Sequence, residues 1–82
     1  MQSQELIVLY KKLEELISFC YEKYKAKMTE AERNECEEYL YQQGEYELAL
    51  DSLQAIIVKY EIELDEECLA KIKEAKILMD LE

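Results

Sequence analysis

Chain breakers are nearly absent from this sequence, whose 82 residues include one glycine and no proline. Because a small sheet protein needs several glycine- or asparagine-rich turns, this chain lacks the residues that a β-fold requires. Few breakers instead favour helices joined by short connections. Half of the residues are apolar, which suits a folded chain. The sequence therefore predicts a single all-α domain over residues 1–82.

Apolar residues recur at spacings of three and four in four segments, about residues 4–26, 30–43, 45–60 and 66–80. Thr29 and Glu32 fit a capping box at the start of the second segment, and Asp65 is predicted to cap the fourth. Gly44 is predicted to be the left-handed residue that ends the second segment. We expect a bundle of about four helices with a helical hairpin turning at Gly44.

The third segment has the strongest apolar stripe and is predicted to be the central helix of the core. The fourth segment carries a second apolar stripe. The residues of these two stripes are Tyr46, Ala49, Leu50, Leu53, Ile56, Ile57 and Tyr60, and then Cys68, Leu69, Ile72, Ala75 and Met79.

The composition excludes much catalytic chemistry. Without histidine there is no imidazole base, no Cys–His pair and no ordinary His-containing zinc site. Cys20, Cys36 and Cys68 are widely spaced and odd in number, which argues against a disulfide framework and favours buried free thiols. We therefore expect a binding protein rather than an enzyme, with no cofactor and no bound metal. The apolar runs are too short for a signal peptide or a membrane span, so we expect a cytoplasmic protein.

Negative charge is concentrated in one part of the sequence. The net charge is −10, which disfavours direct binding of nucleic acid. Residues 1–26 carry equal numbers of acidic and basic side chains, whereas residues 27–82 carry sixteen acidic and six basic ones. Such a surface can serve solubility alone, or it can attract a basic partner. Tyr41 lies among these acidic residues and off the apolar stripe. Tyrosine is a residue type that protein interfaces favour.

Two stretches resemble the MafI family of immunity proteins: residues 37–53, EEYLYQQGEYELALDSL, and residues 60–67, YEIELDEE. The shared pattern is a Gly-Glu-Tyr-x-Leu-Ala turn and helix, a short apolar connection and an acidic helix start. The resemblance covers roughly residues 30–80. It implies a short acidic helical protein that binds and neutralises a bacterial toxin domain, commonly a nuclease.

The leading hypothesis is therefore a cytoplasmic immunity protein that captures a cognate basic toxin domain through an acidic surface. Its predicted partner contacts are Glu35, Glu38, Tyr41, Glu45, Asp51 and Glu63. The alternative is a structural or regulatory helical module that binds a partner helix or itself. In that case the first segment could support a homodimer through the apolar residues Ile7, Val8, Phe19 and Tyr21.

Overall fold

A computed structural model describes the backbone of residues 2–80 and the side chains of residues 5–80. Within this range the chain forms four α-helices and no β-strand, which confirms the predicted all-α fold. The helices are α1 (Gln2–Tyr24), α2 (Glu30–Glu37), α3 (Tyr46–Lys59) and α4 (Glu66–Asp80). A short 3₁₀ turn follows α1 at Lys25–Lys27, and a π-helical turn extends α2 at Glu38–Gln42.

The predicted helix starts have their capping bonds. The Thr29 hydroxyl accepts a hydrogen bond from the Glu32 amide at 3.2 Å, and the Glu32 carboxylate accepts one from the Thr29 amide at 2.8 Å. At the start of α4, the Asp65 carboxylate accepts a bond from the Cys68 amide at 2.8 Å. These side chains satisfy amides that have no partner within their own helix.

Gly44 forms the turn between α2 and α3, as predicted, with a φ of +63°. The Glu45 amide reaches back across it to the Tyr39 carbonyl at 2.8 Å. The second predicted segment is nevertheless not one continuous α-helix. From Glu38 onward the turn is wider, and the Gln43 amide bonds to the Glu38 carbonyl five residues earlier, at 2.9 Å.

The helices pack around α1, which contacts both α4 and α3, while α2 packs against α3. The prediction that the third segment is the central helix is therefore wrong, because the longer α1 contacts more of the other helices. α1 and α4 are antiparallel, because Lys12 pairs with Glu74 and Lys23 with Asp65. Cys20, Cys36 and Cys68 are buried and form no disulfide, as expected of structural thiols. The largest fully buried side chains lie on α1, the π-helical turn, α3 and α4: Leu13, Ile17, Cys20, Tyr21, Leu40, Leu53 and Cys68.

Two further expectations about the core and surface are wrong. Leu69, predicted on the core stripe of the fourth segment, is 53% exposed, because it lies at the edge of α4 where no further helix covers it. Tyr21, predicted as part of a dimer surface, is 1% exposed and donates its hydroxyl hydrogen bond to Glu37. Ile7 and Val8 are exposed on α1, as that alternative requires.

Candidate protein-binding site

A groove of about 420 Å³ runs between α2 and α3 and is called the acidic groove below. Ile56 is buried beneath it, whereas Ala55 is exposed beside it. Carboxylates therefore surround a partly apolar surface. Its lining residues are Glu32, Glu35, Asp51, Ser52, Ala55, Ile56 and Lys59.

One end of the acidic groove is closed by an ion pair. Lys59 Nζ lies 2.8 Å from a Glu32 carboxylate oxygen, and the Tyr60 hydroxyl donates to the other oxygen at 2.8 Å. The Lys59 ammonium, the Thr29 amide and the Tyr60 hydroxyl together lower the pKa of Glu32 to about 2. Glu32 is therefore ionised and paired within the protein, so its charge serves the packing of α2 on α3.

The other two carboxylates of the acidic groove have a different environment. Glu35 accepts a hydrogen bond from the Ser52 hydroxyl at 3.1 Å. Neither Glu35 nor Asp51 forms an ion pair with any side chain of residues 5–80. Both residues are exposed. The structure thus brings two of the predicted partner contacts to one groove, where Lys59 pairs with Glu32 and neither Glu35 nor Asp51 is in an ion pair with a described side chain.

Two further predicted contacts lie on the elements that form this groove. Glu38 follows Glu35 by three residues and accepts a hydrogen bond from the Gln43 side chain at 2.8 Å. Glu45 immediately precedes α3, and helical spacing places Glu45, Leu48 and Ser52 along one edge of that helix. Leu48 is exposed on this edge. The Glu35–Glu38 and Glu45–Ser52 edges therefore extend the acidic surface beyond the groove.

The remaining two predicted contacts are not brought to the acidic groove. Tyr41 is 46% exposed on the π-helical turn. The π-helical turn contacts α1. Partial burial, and then the charge of Glu22 on α1, raise the pKa of Tyr41. Glu63 is exposed in the connection between α3 and α4. Both stay predictions, at positions separate from Glu35 and Asp51.

Sequence reasoning missed a second groove, of about 520 Å³, between α3 and α4. We call it the lysine-rimmed groove. Val58 and Leu69 line it and are 76% and 53% exposed. Its full lining is Gln54, Ile57, Val58, Leu64, Leu69, Ile72, Lys73 and Lys76. The sequence signal was weak, because Val58 falls outside the apolar stripe of α3 and Leu69 looked like a core residue.

The α3–α4 surface changes character along its length. Beyond Gln54 and Lys76, the groove continues as a smaller depression of about 280 Å³. Glu47, Asp51 and Asp80 line this continuation. Asp51 therefore borders both the acidic groove on one side of α3 and the acidic end of the α3–α4 surface on the other.

No family model, curated protein or solved structure matches the chain. The resemblance to MafI-family immunity proteins therefore stays a prediction. None of the helices within residues 2–80 combines the length and the hydrophobicity that a bilayer crossing requires. In the same part of the chain, no three Cys, Asp or Glu side chains come together in a group that could hold a metal ion.

Proposed function

We propose that this protein is a cytoplasmic immunity protein that binds a cognate basic toxin domain, a nuclease, and neutralises it by forming a stoichiometric complex. It acts by binding and performs no catalysis of its own. The observation that carries the proposal is the pair of carboxylates in the acidic groove, Glu35 and Asp51, which lack a cationic partner among the described side chains.

The acidic groove suits a long cationic side chain of the partner. Arginine and lysine have an apolar stem and a charged head, which need different surroundings. The stem would pack against Ala55 and Ile56, while the head would lie between Glu35 and Asp51. An arginine can also form two parallel hydrogen bonds with one carboxylate, which adds geometric selectivity.

The charge of the whole protein supports the same proposal. A nuclease needs a basic surface to hold the phosphate backbone of its nucleic-acid substrate. The net charge of −10 on this protein attracts such a basic surface over a distance. Complementary charges of this kind mainly increase the association rate and exclude wrong partners. The acidic groove would then supply the short-range contacts that keep the complex together.

The test begins with capture. The tagged protein is incubated with lysate of its source organism and eluted with a salt gradient. We expect a basic toxin domain to elute at moderate or high salt. The recovered domain is then expressed in a sensitive host with and without this protein, and its nuclease activity is titrated with purified protein. Rescue of growth and complete inhibition near one equivalent support immunity.

Paired charge reversals locate the contact. Glu35→Lys with Asp51→Lys should weaken binding of the captured domain by at least about tenfold, because both carboxylates of the acidic groove become cations. Glu5→Lys with Glu15→Lys changes the net charge equally on exposed positions of α1 and serves as the control. Glu38→Lys with Glu45→Lys should weaken capture and flatten its salt dependence.

Two results would count against the proposal. Equal losses in the groove and control variants would mean that net charge alone attracts the partner. Recovery of only neutral or acidic proteins would favour the alternative, a helical interaction module, and would leave the acidic surface a role in solubility.

A further inference from the structure

The lysine-rimmed groove combines two features that the acidic groove lacks. Its surface is mainly aliphatic, and two of its aliphatic side chains, Val58 and Leu69, are more than half exposed. The charged side chains that line it are Lys73 and Lys76. In a chain with a net charge of −10, this is a local reversal of sign beside an uncovered apolar surface. Uncovered apolar surface with a polar rim is typical of a protein-binding site.

We propose that the lysine-rimmed groove is a docking site for a helical segment of a partner protein, in which an aliphatic stripe is flanked by carboxylates. Residues of α3 and α4 line the two sides of this groove, and a groove between helices accepts an amphipathic helix that anchors through side chains at positions i, i+3, i+4 and i+7. The stripe covers Val58 and Leu69, and the flanking carboxylates lie against Lys73 and Lys76. This site is independent of the acidic groove and of the immunity function.

The charge pattern specifies where such a helix lies. Lys73 and Lys76 attract carboxylates at the aliphatic end of the α3–α4 surface. Glu47, Asp51 and Asp80 repel them at the other end. An acidic amphipathic helix therefore occupies the end near Val58 and Leu69 and does not extend over Asp51.

Other occupants fit less well. A helix with a basic flank would place its cations against Lys73 and Lys76. A second copy of this chain carries the same net charge of −10. If two copies joined about a two-fold axis passing beside Lys73 and Lys76, the lysines of both copies would meet. Charge complementarity therefore selects an acidic partner helix.

Two labelled peptides of about 14 residues, long enough to cover four helical turns, test the proposal. Both carry the same leucine stripe, flanked by glutamates in one and by lysines in the other. Binding is measured by fluorescence anisotropy. We expect the glutamate-flanked peptide to bind at least about tenfold more tightly. Non-specific attraction to an acidic protein would give the opposite preference, so the order of affinities is diagnostic.

Matched variants separate the groove from net charge. Lys73→Glu with Lys76→Glu should reverse the preference between the two peptides. Lys11→Glu with Lys27→Glu makes the same change in net charge at exposed positions outside the lining of the groove and should preserve the preference. Val58→Ser should weaken binding of the glutamate-flanked peptide without altering the charge. Circular dichroism of each variant establishes that it is folded.

The proposal is overturned by tighter binding of the lysine-flanked peptide, by no binding of either peptide at millimolar concentration, or by an unchanged preference after the groove reversal. Sedimentation equilibrium tests whether a second copy of this chain occupies the groove instead. A wild-type dimer that Val58→Ser dissociates would assign the groove to a second copy and overturn the proposal. None of these outcomes depends on whether the acidic groove captures a toxin.

Discussion

Two residues of the described chain adopt the left-handed backbone region: Gly44 with a φ of +63° and Glu61 with a φ of +50°. Each lies at the end of a helical segment. At the end of α3, the Ile62 amide bonds to the Ile57 carbonyl at 2.9 Å, which is the six-residue bond of a Schellman motif. Glycine normally occupies the left-handed position of this motif because a β-carbon is strained there.

Replacing Gly44 by alanine should lower the free energy of unfolding by about 1–2 kcal/mol, which is the cost of a left-handed L-residue. A β-carbon at this position would meet only the Tyr46 ring and hydroxyl, at 3.8 Å or more. The loss therefore comes from the backbone rather than from a clash. Urea unfolding measures it, and Gly44→Asn is the control, because asparagine tolerates this region and should lose less. Equal losses for both variants would contradict the backbone argument.

Glu61→Gly should have the opposite effect and raise the free energy of unfolding by about 1 kcal/mol, since it removes the same strain at the end of α3. Glu63→Gly, in the same connection but without a positive φ, is the control and should not stabilise. The midpoints of urea unfolding compare the three proteins. A Glu61→Gly variant no more stable than the wild type would mean that flexibility of the unfolded chain offsets the released strain.

At the scale of the elements, α2 depends on its neighbours. Its one buried residue is Cys36, so its apolar packing is small. The interactions of Glu32 with Lys59 and Tyr60 supplement this packing by joining the start of α2 to the end of α3. The same side chain completes the capping box with Thr29. One carboxylate therefore stabilises both the helix itself and its contact with the next helix.

Acidification should remove this stabilisation. The pKa of Glu32 is lowered from 4.5 to about 2 in the folded protein, so the folded state holds the proton less tightly than the unfolded state. The contribution is present above the unfolded pKa and is lost as the pH falls from about 4.5 to 2. We expect Glu32→Gln to lower the melting temperature near neutral pH, with the difference from wild type shrinking across this window.

Thermal melts between neutral pH and pH 2 check the expectation. Glu30→Gln serves as the control, because Glu30 lies in the same first turn but forms no ion pair with the described residues. A gap between Glu32→Gln and wild type that stays constant at all pH values would show that the carboxylate acts through shape rather than charge.

The elements that were predicted correctly depend on residues that lie close together in the sequence. The capping box at Thr29 and the cap at Asp65 each depend on residues within one helical turn. The turn at Gly44 depends on a single backbone preference. The π-helical turn at Glu38–Gln42 was not predictable, since the spacing of Cys36 and Leu40 suits an ordinary α-helix equally well.

The site was predictable in part. The concentration of acids marked Glu35 and Asp51, but their meeting in one groove depends on how α2 packs against α3. Tyr41 is a residue type that interfaces favour, but its place on the π-helical turn, which contacts α1, could not be predicted from the spacing of apolar residues. The exposure of Val58 and Leu69 depends on the angle between α3 and α4, about which periodicity along one helix carries no information.

At the scale of the whole molecule, buried cysteine and tyrosine side chains make the stability of the fold depend on pH in the alkaline range. Burial is the main cause that raises the pKa of Cys20 to about 12 and that of Cys36 to about 11, from an ordinary value of 9.0. Burial, followed by its hydrogen bond to Glu37, also raises the pKa of Tyr21. The folded core therefore keeps these groups protonated at a pH where an unfolded chain loses its thiol protons.

We therefore expect the free energy of unfolding to fall steeply above about pH 9. A raised pKa gives stability that is complete below the unfolded pKa and is lost as the pH rises toward the folded value, at about 1.4 kcal/mol per pH unit for each thiol. Urea unfolding in the presence of a reductant, at several pH values from 7 to 11, measures this slope.

Cys36→Ala should be less stable than the wild type near neutral pH, because it leaves a small cavity. Its free energy of unfolding should fall less steeply with pH in the alkaline range. A slope equal to that of the wild type would mean that the Cys36 thiol does not contribute to the alkaline loss of stability.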